Sequence, residues 1–127
     1  LKNEFCLGGT SWEFEAGLAA VEQMLAKNTV YPTALVAFND RLALGAIQAI
    51  HQAGLRVPDD ISVIGYDNSD QAKYSMPKIT TVEIHAPLMA QTASRMLFQQ
   101  IDDYEVLTVK VLTPVELIEQ DSVRPLE

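Results

Sequence analysis

With 127 residues, 48% of them hydrophobic, the chain has the size of one domain and enough apolar material to bury a core. Nine basic and seventeen acidic side chains give a formal net charge of −8, the wrong sign for a surface that binds nucleic acid phosphates over a broad area. The single cysteine, Cys6, excludes an internal disulfide and fits a reducing, cytoplasmic compartment, and no stretch approaches the ~20 apolar residues of a membrane span.

The N-terminal part of the chain predicts a strand followed by a helix. Residues 4–7 are a short apolar run that two glycines end, as expected for a strand followed by a turn. The following segment, residues ~12–27, carries apolar side chains at helical spacing and glutamates on its other faces, which predicts an amphipathic helix. Its expected core positions are Phe14, Leu18, Val21 and Leu25.

The central part of the chain predicts a strand, a helix and a second strand. Residues 34–38 are apolar and too few for a helix, so they are typical of a strand buried on both faces. Asp40 is the expected N-cap of the helix that follows, and Gly54 ends this helix before the second strand at 61–66. The apolar stripe of the helix is Ala43, Ala46, Ile47 and Ile50. This order predicts two parallel strands joined by a right-handed crossover.

The next part of the chain predicts a loop, a strand and a long helix. Residues 68–78 are polar and predict a loop with one helical turn, and residues 79–82 predict a short strand. Pro87 fits the first turn of a helix that continues to residue 101, because proline lacks the N–H that would have no partner there. The expected buried stripe of this helix is Met89, Ala93, Met96, Leu97 and Ile101.

Two further strands are expected near the C-terminus. Residues 106–112 and 115–118 are rich in β-branched and apolar side chains, and the tail from Asp121 is expected to fray. Strands and helices thus alternate along the whole chain. This order predicts an α/β fold in which a parallel or mostly parallel sheet is flanked by helices.

Polar residues follow both strands of the central unit, where ligands of open parallel sheets bind. Asn39 and Asp40 follow the first strand, and Asp67 follows the second. An amide both donates and accepts hydrogen bonds, and a carboxylate can accept two from neighbouring hydroxyls, so this edge suits a polyol. From the residues alone, Asp40 is more readily a helix cap, Asn39 more readily satisfies a turn, and Asp67 has the alternative of an exposed turn residue.

The sequence predicts neither an enzyme nor a metal or cofactor site. It contains no G-x-S-x-G, G-x-x-x-x-G-K-[ST] or G-x-G-x-x-G motif, so no catalytic residue is assigned. His51 and His85 lack the neighbouring histidine or cysteine ligands that a metal site requires. Both histidines are expected to face solvent.

Three stretches together resemble one protein family over almost the whole chain: F-N-D-R-L-A-L-G-A-I, then G-L-R-V-P-D-D-I-S-V-I-G-Y-D, then Y-S-M-P-K-I-T-T-V. They resemble the effector-binding core of the lactose/galactose repressor (LacI/GalR) family of bacterial transcription regulators. The resemblance implies a periplasmic-binding-protein-like fold, type I, of two α/β subdomains with a small molecule between them. It begins part-way through the family's pattern, and the chain has no initiator Met, so a fragment is expected.

The resemblance also implies a division of the chain. Residues 1–83 would form the C-terminal effector-binding subdomain, residues 84–112 would supply a helix and strand that complete the N-terminal subdomain, and residues 113–127 would return as a strand and tail. The helix at 87–101 would then lack its usual sheet. We expect it to pack on this chain's own sheet or on a second copy, since an apolar stripe of that size rarely stays exposed.

The resemblance assigns ligand contacts. The family's residues matching Asn39 and Asp67 point into the effector pocket, and Asp40 is a further possible contact. Trp12 lies in W-E-F-E-A-G, which resembles the segment whose aromatic residue closes over the effector, although a packing residue is an equally good interpretation. Ile84 stands where many members carry a polar residue at the hinge, so the ligand is expected to differ or to be less polar there.

The resemblance therefore implies the effector-binding and dimerisation part of a transcription regulator. Its partners would be a mono- or disaccharide effector, a second copy that faces part of the first helix and the segment around Tyr74, and operator DNA bound through an N-terminal helix-turn-helix absent from this chain. No membrane partner is expected. The alternative is a periplasmic sugar-binding protein of an ABC transporter with the same fold, and a nucleotide-using α/β enzyme is a more remote one.

Overall fold

The structure is a computed structural model that describes residues 7, 11–27, 30–102 and 109–125. In chain order these residues form α1 (Phe14–Lys27), β1 (Ala34–Val36), α2 (Asp40–Gln52), β2 (Ser62–Ile64), α3 (Asp70–Tyr74), β3 (Thr81–Glu83), α4 (Ala86–Asp102) and β4 (Glu116–Ile118). The alternation confirms the α/β class. The predicted strand at 4–7 lies outside the described residues except for Leu7. The described part of the predicted strand at 106–112, residues 109–112, is not in a strand.

The strands form a mixed sheet arrangement. β1 and β2 pair in parallel, with Leu35 opposite Val63, as the strand-helix-strand pattern predicts. A parallel bridge between Ile64 and Thr80 links β2 to the start of β3. β3 and β4 pair antiparallel and form a second two-stranded sheet, so the described strands make one parallel pair and one antiparallel pair.

The core lies where α1 and α2 pack against each other and against β2. The predicted stripe of α2 is buried, as are Val21 and Met24 of α1. A Cβ added to Gly45 would overlap the backbone oxygen of Phe14, so glycine here allows the two helix backbones to approach closely. The assignment of Phe14 to the core is wrong, because its side chain is 36% exposed at the first residue of α1.

The C-terminal tail is part of the fold, and the expectation that it frays is wrong. The side chain of Ser122 is completely buried. Its Oγ donates to the backbone oxygen of Val63 over 2.6 Å and accepts from the backbone N–H of Thr80 over 2.8 Å. The backbone N–H of Val63 in turn donates to the backbone oxygen of Ser122. The tail is therefore fixed between β2 and the segment that leads into β3.

Helix α4 buries none of its residues, which contradicts the expectation that its apolar stripe packs on this chain's own sheet. Leu97 is 57% exposed and Ile101 is 66% exposed, whereas Met96 is half-buried. The physical reason is that α1 and α2 already occupy the described core, and among the described residues no helix or strand packs extensively against α4. Packing on a second copy stays a prediction.

Candidate functional site

A cleft of about 340 Å³ opens beyond the carboxyl ends of β1 and β2. Its walls come from the segment before α1, the turn from β1 into α2 and the loop from β2 into α3. The lining residues are Trp12, Glu13, Asn39, Asp40, Arg41, Asp67, Ser69 and Gln71. The structure thus brings the sequence-predicted Trp12, Asn39, Asp40 and Asp67 to one cleft, and Ile84 is not among its lining residues.

Asn39 is the N-cap of α2, so the assignment of the cap to Asp40 is wrong. The backbone of Asn39 is extended, and its Oδ1 accepts from the N–H of Leu42 over 2.8 Å. Its Nδ2 donates to the backbone oxygen of Trp12 over 2.9 Å. The amide therefore starts the helix and also fixes the segment that carries Trp12.

Asp40 is a buried support beneath the cleft. Its side chain is 1% exposed, and its Oδ1 accepts from the hydroxyl of Thr81 over 2.6 Å. Its Oδ2 accepts from the backbone N–H of Ser69 over 2.6 Å. A Cβ added to Gly65 would overlap Oδ1, so glycine makes room for this carboxylate. Both carboxylate oxygens of Asp40 are therefore bonded internally. They connect the turn after β1 to β3 and to the loop after β2.

Asp67 presents an open carboxylate at the cleft. No residue in the described part of the chain donates a hydrogen bond to its side chain, and its backbone N–H donates to Val82 over 3.0 Å. Partial burial raises the pKa of the Asp67 carboxyl above its usual value, and the nearby charge of Asp40 raises it further. Its φ of 101° is costly for a residue other than glycine and is typical of functional positions.

An exposed aromatic pair stands at the rim of the cleft. Trp12 is 62% exposed and Phe38 is 78% exposed. Their ring centroids are 5.8 Å apart, with the ring planes nearly perpendicular at 88°, a favourable edge-to-face contact. Sequence reasoning missed Phe38 because it ends the apolar run that was interpreted as a buried strand. The sequence feature that could have indicated a role for Phe38 in the cleft is its position directly before the polar Asn39.

An ion pair in the cleft wall joins Glu13, just before α1, to Arg41 at the start of α2. Nη1 of Arg41 donates to both carboxylate oxygens of Glu13, over 2.9 and 2.7 Å, and both side chains are about half exposed. The two residues are 28 positions apart in the sequence. Because no local pattern links residues so far apart, the sequence did not predict this ion pair.

Ile84 lies beside a second polar cluster, on the segment that leads from β3 to α4. Glu83 accepts from Nδ2 of Asn68 over 2.8 Å and from the backbone N–H of His85 over 2.7 Å. These two bonds hold the pKa of the Glu83 carboxyl below its usual value. Both Asn68 and His85 have positive φ, 50° and 51°. Ile84 is half-buried next to this cluster.

The described residues contain no group of three or more histidine, cysteine, aspartate or glutamate side chains placed to hold a metal ion. Of the helices that the structure describes, none combines the length and the apolar character needed to cross a membrane.

Comparisons with known proteins give a consistent result. Residues 6–123 match the family model described as periplasmic binding protein-like domain. The probable HTH-type transcriptional repressor ExuR of Bacillus subtilis strain 168 is 37% identical over 126 residues, which cover 99% of this chain and 37% of that protein. The chain therefore spans little more than a third of this relative's length.

Two solved structures show the same fold. The lac repressor dimer bound to operator and the anti-inducer ONPF superposes with a TM-score of 0.82 at 34% identity, covering 89% of this chain and 39% of that one. A LacI family transcriptional regulator from Enterococcus faecium with bound ribose superposes with a TM-score of 0.80 at 30% identity, covering 93% and 43%. The periplasmic-binding-protein-like fold expected from the sequence motifs is confirmed.

Proposed function

Because this chain belongs to the family of periplasmic binding protein-like domains, and within it to the LacI-type regulators, we propose that it forms the effector-binding part of a DNA-binding transcription regulator whose effector is a small sugar. LacI-type regulators are not enzymes, in line with the lack of catalytic motifs in the sequence. A transport role is not favoured, since the relative and the two structures described above are a repressor and transcription regulators.

One observation carries the sugar proposal: a single cleft combines an open carboxylate with an exposed indole. The carboxylate of Asp67 can accept hydrogen bonds from ligand hydroxyls, and charge-assisted bonds of this kind are strong and directional. Trp12 is 62% exposed, and its ring makes an edge-to-face contact with Phe38. The ring offers an apolar face on which the C–H face of a sugar can pack. The E. faecium relative with bound ribose supports the same ligand class.

Asn39 contributes to this pocket in two ways in our proposal. Its side chain lines the cleft, but each of its polar atoms already has an internal partner. The amide oxygen has two lone pairs and the NH₂ group two donors, so each can make one further hydrogen bond to a ligand. Asp40, by contrast, would hold the loops of the cleft in place. Ile84 would make the hinge apolar on the side that faces the ligand.

The second lobe of the pocket would lie over α4. We propose that residues 1–83 form one subdomain, that residues 84–112 help complete the other, and that residues 113–127 return to the first. The exposed apolar side chains of α4 support this division, because a stripe of that kind calls for a covering surface. Ligand binding between the lobes would favour one closure state over another.

The remaining partners follow from the same proposal. The net charge of −8 argues against operator binding by this part of the protein, so DNA would be bound through a separate helix-turn-helix. Tyr74 and Met76, 86% and 92% exposed, are candidates for the face between two copies in a homodimer. A cytoplasmic location would accompany this role.

A thermal-shift screen of the full-length protein against mono- and disaccharides tests the proposal. At a concentration of about 100 Kd, a sugar that binds the native state alone should add about 2.7 kcal/mol to the free energy of unfolding and so raise Tm. The Asp67→Ala variant should lose this shift, whereas Asp70→Ala, an exposed aspartate outside the cleft lining, should keep it. A shift that survives Asp67→Ala, or the absence of any shift, would refute the proposed site.

A further inference from the structure

We propose that Glu13 sets the charge selectivity of this cleft: by pairing with Arg41 it prevents the wall from binding the carboxylate of an acidic sugar, and so favours neutral polyols. The inference rests on the proposed sugar-binding function and goes beyond it by naming the ligand's charge and the residue that selects it.

The first step is the inventory of charges on the cleft wall. Among the lining residues the ionisable side chains are Glu13, Asp40, Asp67 and Arg41. Three of these are acidic, so Arg41 is the cation on this wall to which an anionic ligand could bind. Whether the wall accepts an anion therefore depends on the availability of this guanidinium.

The second step is that Arg41 is engaged. Its Nη1 donates to both oxygens of Glu13, over 2.9 and 2.7 Å. Arg41 is also the second residue of α2, where the positive end of the helix dipole disfavours a cation, and the carboxylate of Glu13 offsets this. A ligand carboxylate that bound the other N–H groups of Arg41 would lie beside the carboxylate of Glu13, so two negative groups would share one guanidinium.

The third step concerns the other two carboxylates. Asp40 has both oxygens bonded, to Thr81 and to the N–H of Ser69. No residue in the described part of the chain donates a hydrogen bond to the Asp67 carboxylate. This carboxylate can therefore accept from a ligand hydroxyl, but it repels a ligand carboxylate. Burial raises the pKa of the Asp67 carboxyl and the charge of Asp40 raises it further, which agrees with a site that already disfavours further negative charge.

The test compares neutral sugars with their acids. Glucose, galactose, mannose and ribose are each paired with the sugar acid in which the terminal CH₂OH is a carboxylate. Dissociation constants are measured by calorimetry on the full-length wild-type protein and on Glu13→Gln, with Glu22→Gln as the matched control. Glu22 lies on α1, the helix that follows Glu13, and it is exposed and does not line the cleft. The double variant Glu13→Gln/Arg41→Gln shows whether any gain requires the freed guanidinium.

For the sugar that binds, the wild-type protein should bind the neutral form more tightly than the acid. Glu13→Gln should lower the ratio of the acid's Kd to the neutral sugar's Kd by about tenfold, the size expected of one freed charge-assisted contact. Glu22→Gln should leave the ratio unchanged, and the double variant should restore it.

The outcomes separate the two proposals. If no sugar binds any variant, neutral or acidic, sugar binding itself is wrong. If a neutral sugar binds and Glu13→Gln leaves the ratio unchanged, or still shows no detectable acid binding, only the charge-selectivity proposal is overturned. If the wild-type protein prefers the acid and Glu13→Gln loses it, Glu13 orients Arg41 for anion binding, which is the opposite of the role proposed here.

Discussion

The carboxylate of Asp40 accepts a hydrogen bond from the hydroxyl of Thr81 over 2.6 Å, and both side chains are buried. The two residues are 41 positions apart, and the bond joins the start of α2 to β3 beneath the cleft. The same carboxylate holds the backbone of Ser69 in the loop that carries Asp67. The position of the open carboxylate in the cleft thus depends on a buried one.

Replacing Asp40 should destabilise the fold strongly. In Asp40→Ala, the Thr81 hydroxyl and the Ser69 N–H lose their partners, and unpaired buried donors should cost about 3 kcal/mol or more of unfolding free energy. Urea denaturation measures this loss, with Asp70→Ala as the exposed control, for which the loss should stay within about 0.5 kcal/mol. Equal losses in the two variants would show that Asp40 is not the support described.

Replacing Ser122 should show that the C-terminal tail is part of the fold. Ser122→Ala removes a buried hydroxyl that bonds to Val63 and to Thr80, and should lower the free energy of unfolding by about 1–3 kcal/mol. Ser94→Ala, on the exposed surface of α4, is the control and should have little effect. A tail that frays would make the two substitutions equivalent in urea denaturation.

Adding a methyl group to Gly45 should reverse the usual effect of alanine in a helix. On an exposed helix, glycine to alanine stabilises by up to about 1 kcal/mol. Here the new Cβ would overlap the backbone oxygen of Phe14, so Gly45→Ala should destabilise by about 1–3 kcal/mol as α1 and α2 separate. Gln48→Ala on the exposed face of α2 serves as control in the same thermal melts. Stabilisation by Gly45→Ala would contradict the close helix contact.

The pH dependence of stability should have opposite signs at two aspartates. The pKa of Asp67 is raised above its ordinary value of 3.8, so its stabilising contribution is present below pH 3.8 and is lost as the pH rises through the folded-state pKa. Relative to the wild-type protein, Asp67→Asn should therefore have a more favourable effect on the free energy of unfolding at pH 7 than at pH 3. Asparagine also tolerates positive φ, but that benefit does not vary with pH, so the change with pH is the diagnostic quantity.

Asp60 provides the opposite case. The backbone N–H and side chain of Arg56 donate to its carboxylate and lower its pKa below 3.8. Its contribution is present above pH 3.8 and is lost as the pH falls through the lowered pKa, so Asp60→Asn should destabilise at pH 7 but not at low pH. Melting temperatures from pH 2 to 7 measure both variants. The same sign of pH dependence for the two would contradict the assignment.

Local patterns in the sequence predicted the order of strands and helix in the central unit, but the expectation that the strand at 34–38 is buried on both faces is wrong, because Val36 and Phe38 are largely exposed. The spacing of Ala43, Ala46, Ile47 and Ile50 predicted the buried face of α2, and the apolar runs on either side predicted the parallel pair β1 and β2. Because parallel strands end at the same edge, the cleft and its residues Asn39 and Asp67 could be expected there. Whether they contact a ligand stays a prediction.

Features that depend on distant partners could not be predicted. Both Asn39 and Asp40 are good N-caps, and only the bonds of Asp40 to β3 and to Ser69 decide between them. Ser122 appeared to be in a polar tail because its partners are about 40 and 60 residues away. The pair Glu13 and Arg41 was missed for the same reason.

The exposed face of α4 was misassigned for a different reason. Its periodicity correctly predicts an apolar stripe, with Leu97 and Ile101 on it, but periodicity does not identify the surface that covers the stripe. The expectation allowed this chain's own sheet or a second copy as the covering surface, and the described residues do not supply the first.

The central claim is that one cleft holds a small sugar against Asp67 and Trp12, and a crystal structure of the full-length protein with its bound effector tests it most directly. The account predicts a ligand hydroxyl within about 3.2 Å of the Asp67 carboxylate and the apolar face of the ligand ring against the indole of Trp12. A ligand bound elsewhere, with neither residue in contact, would contradict it.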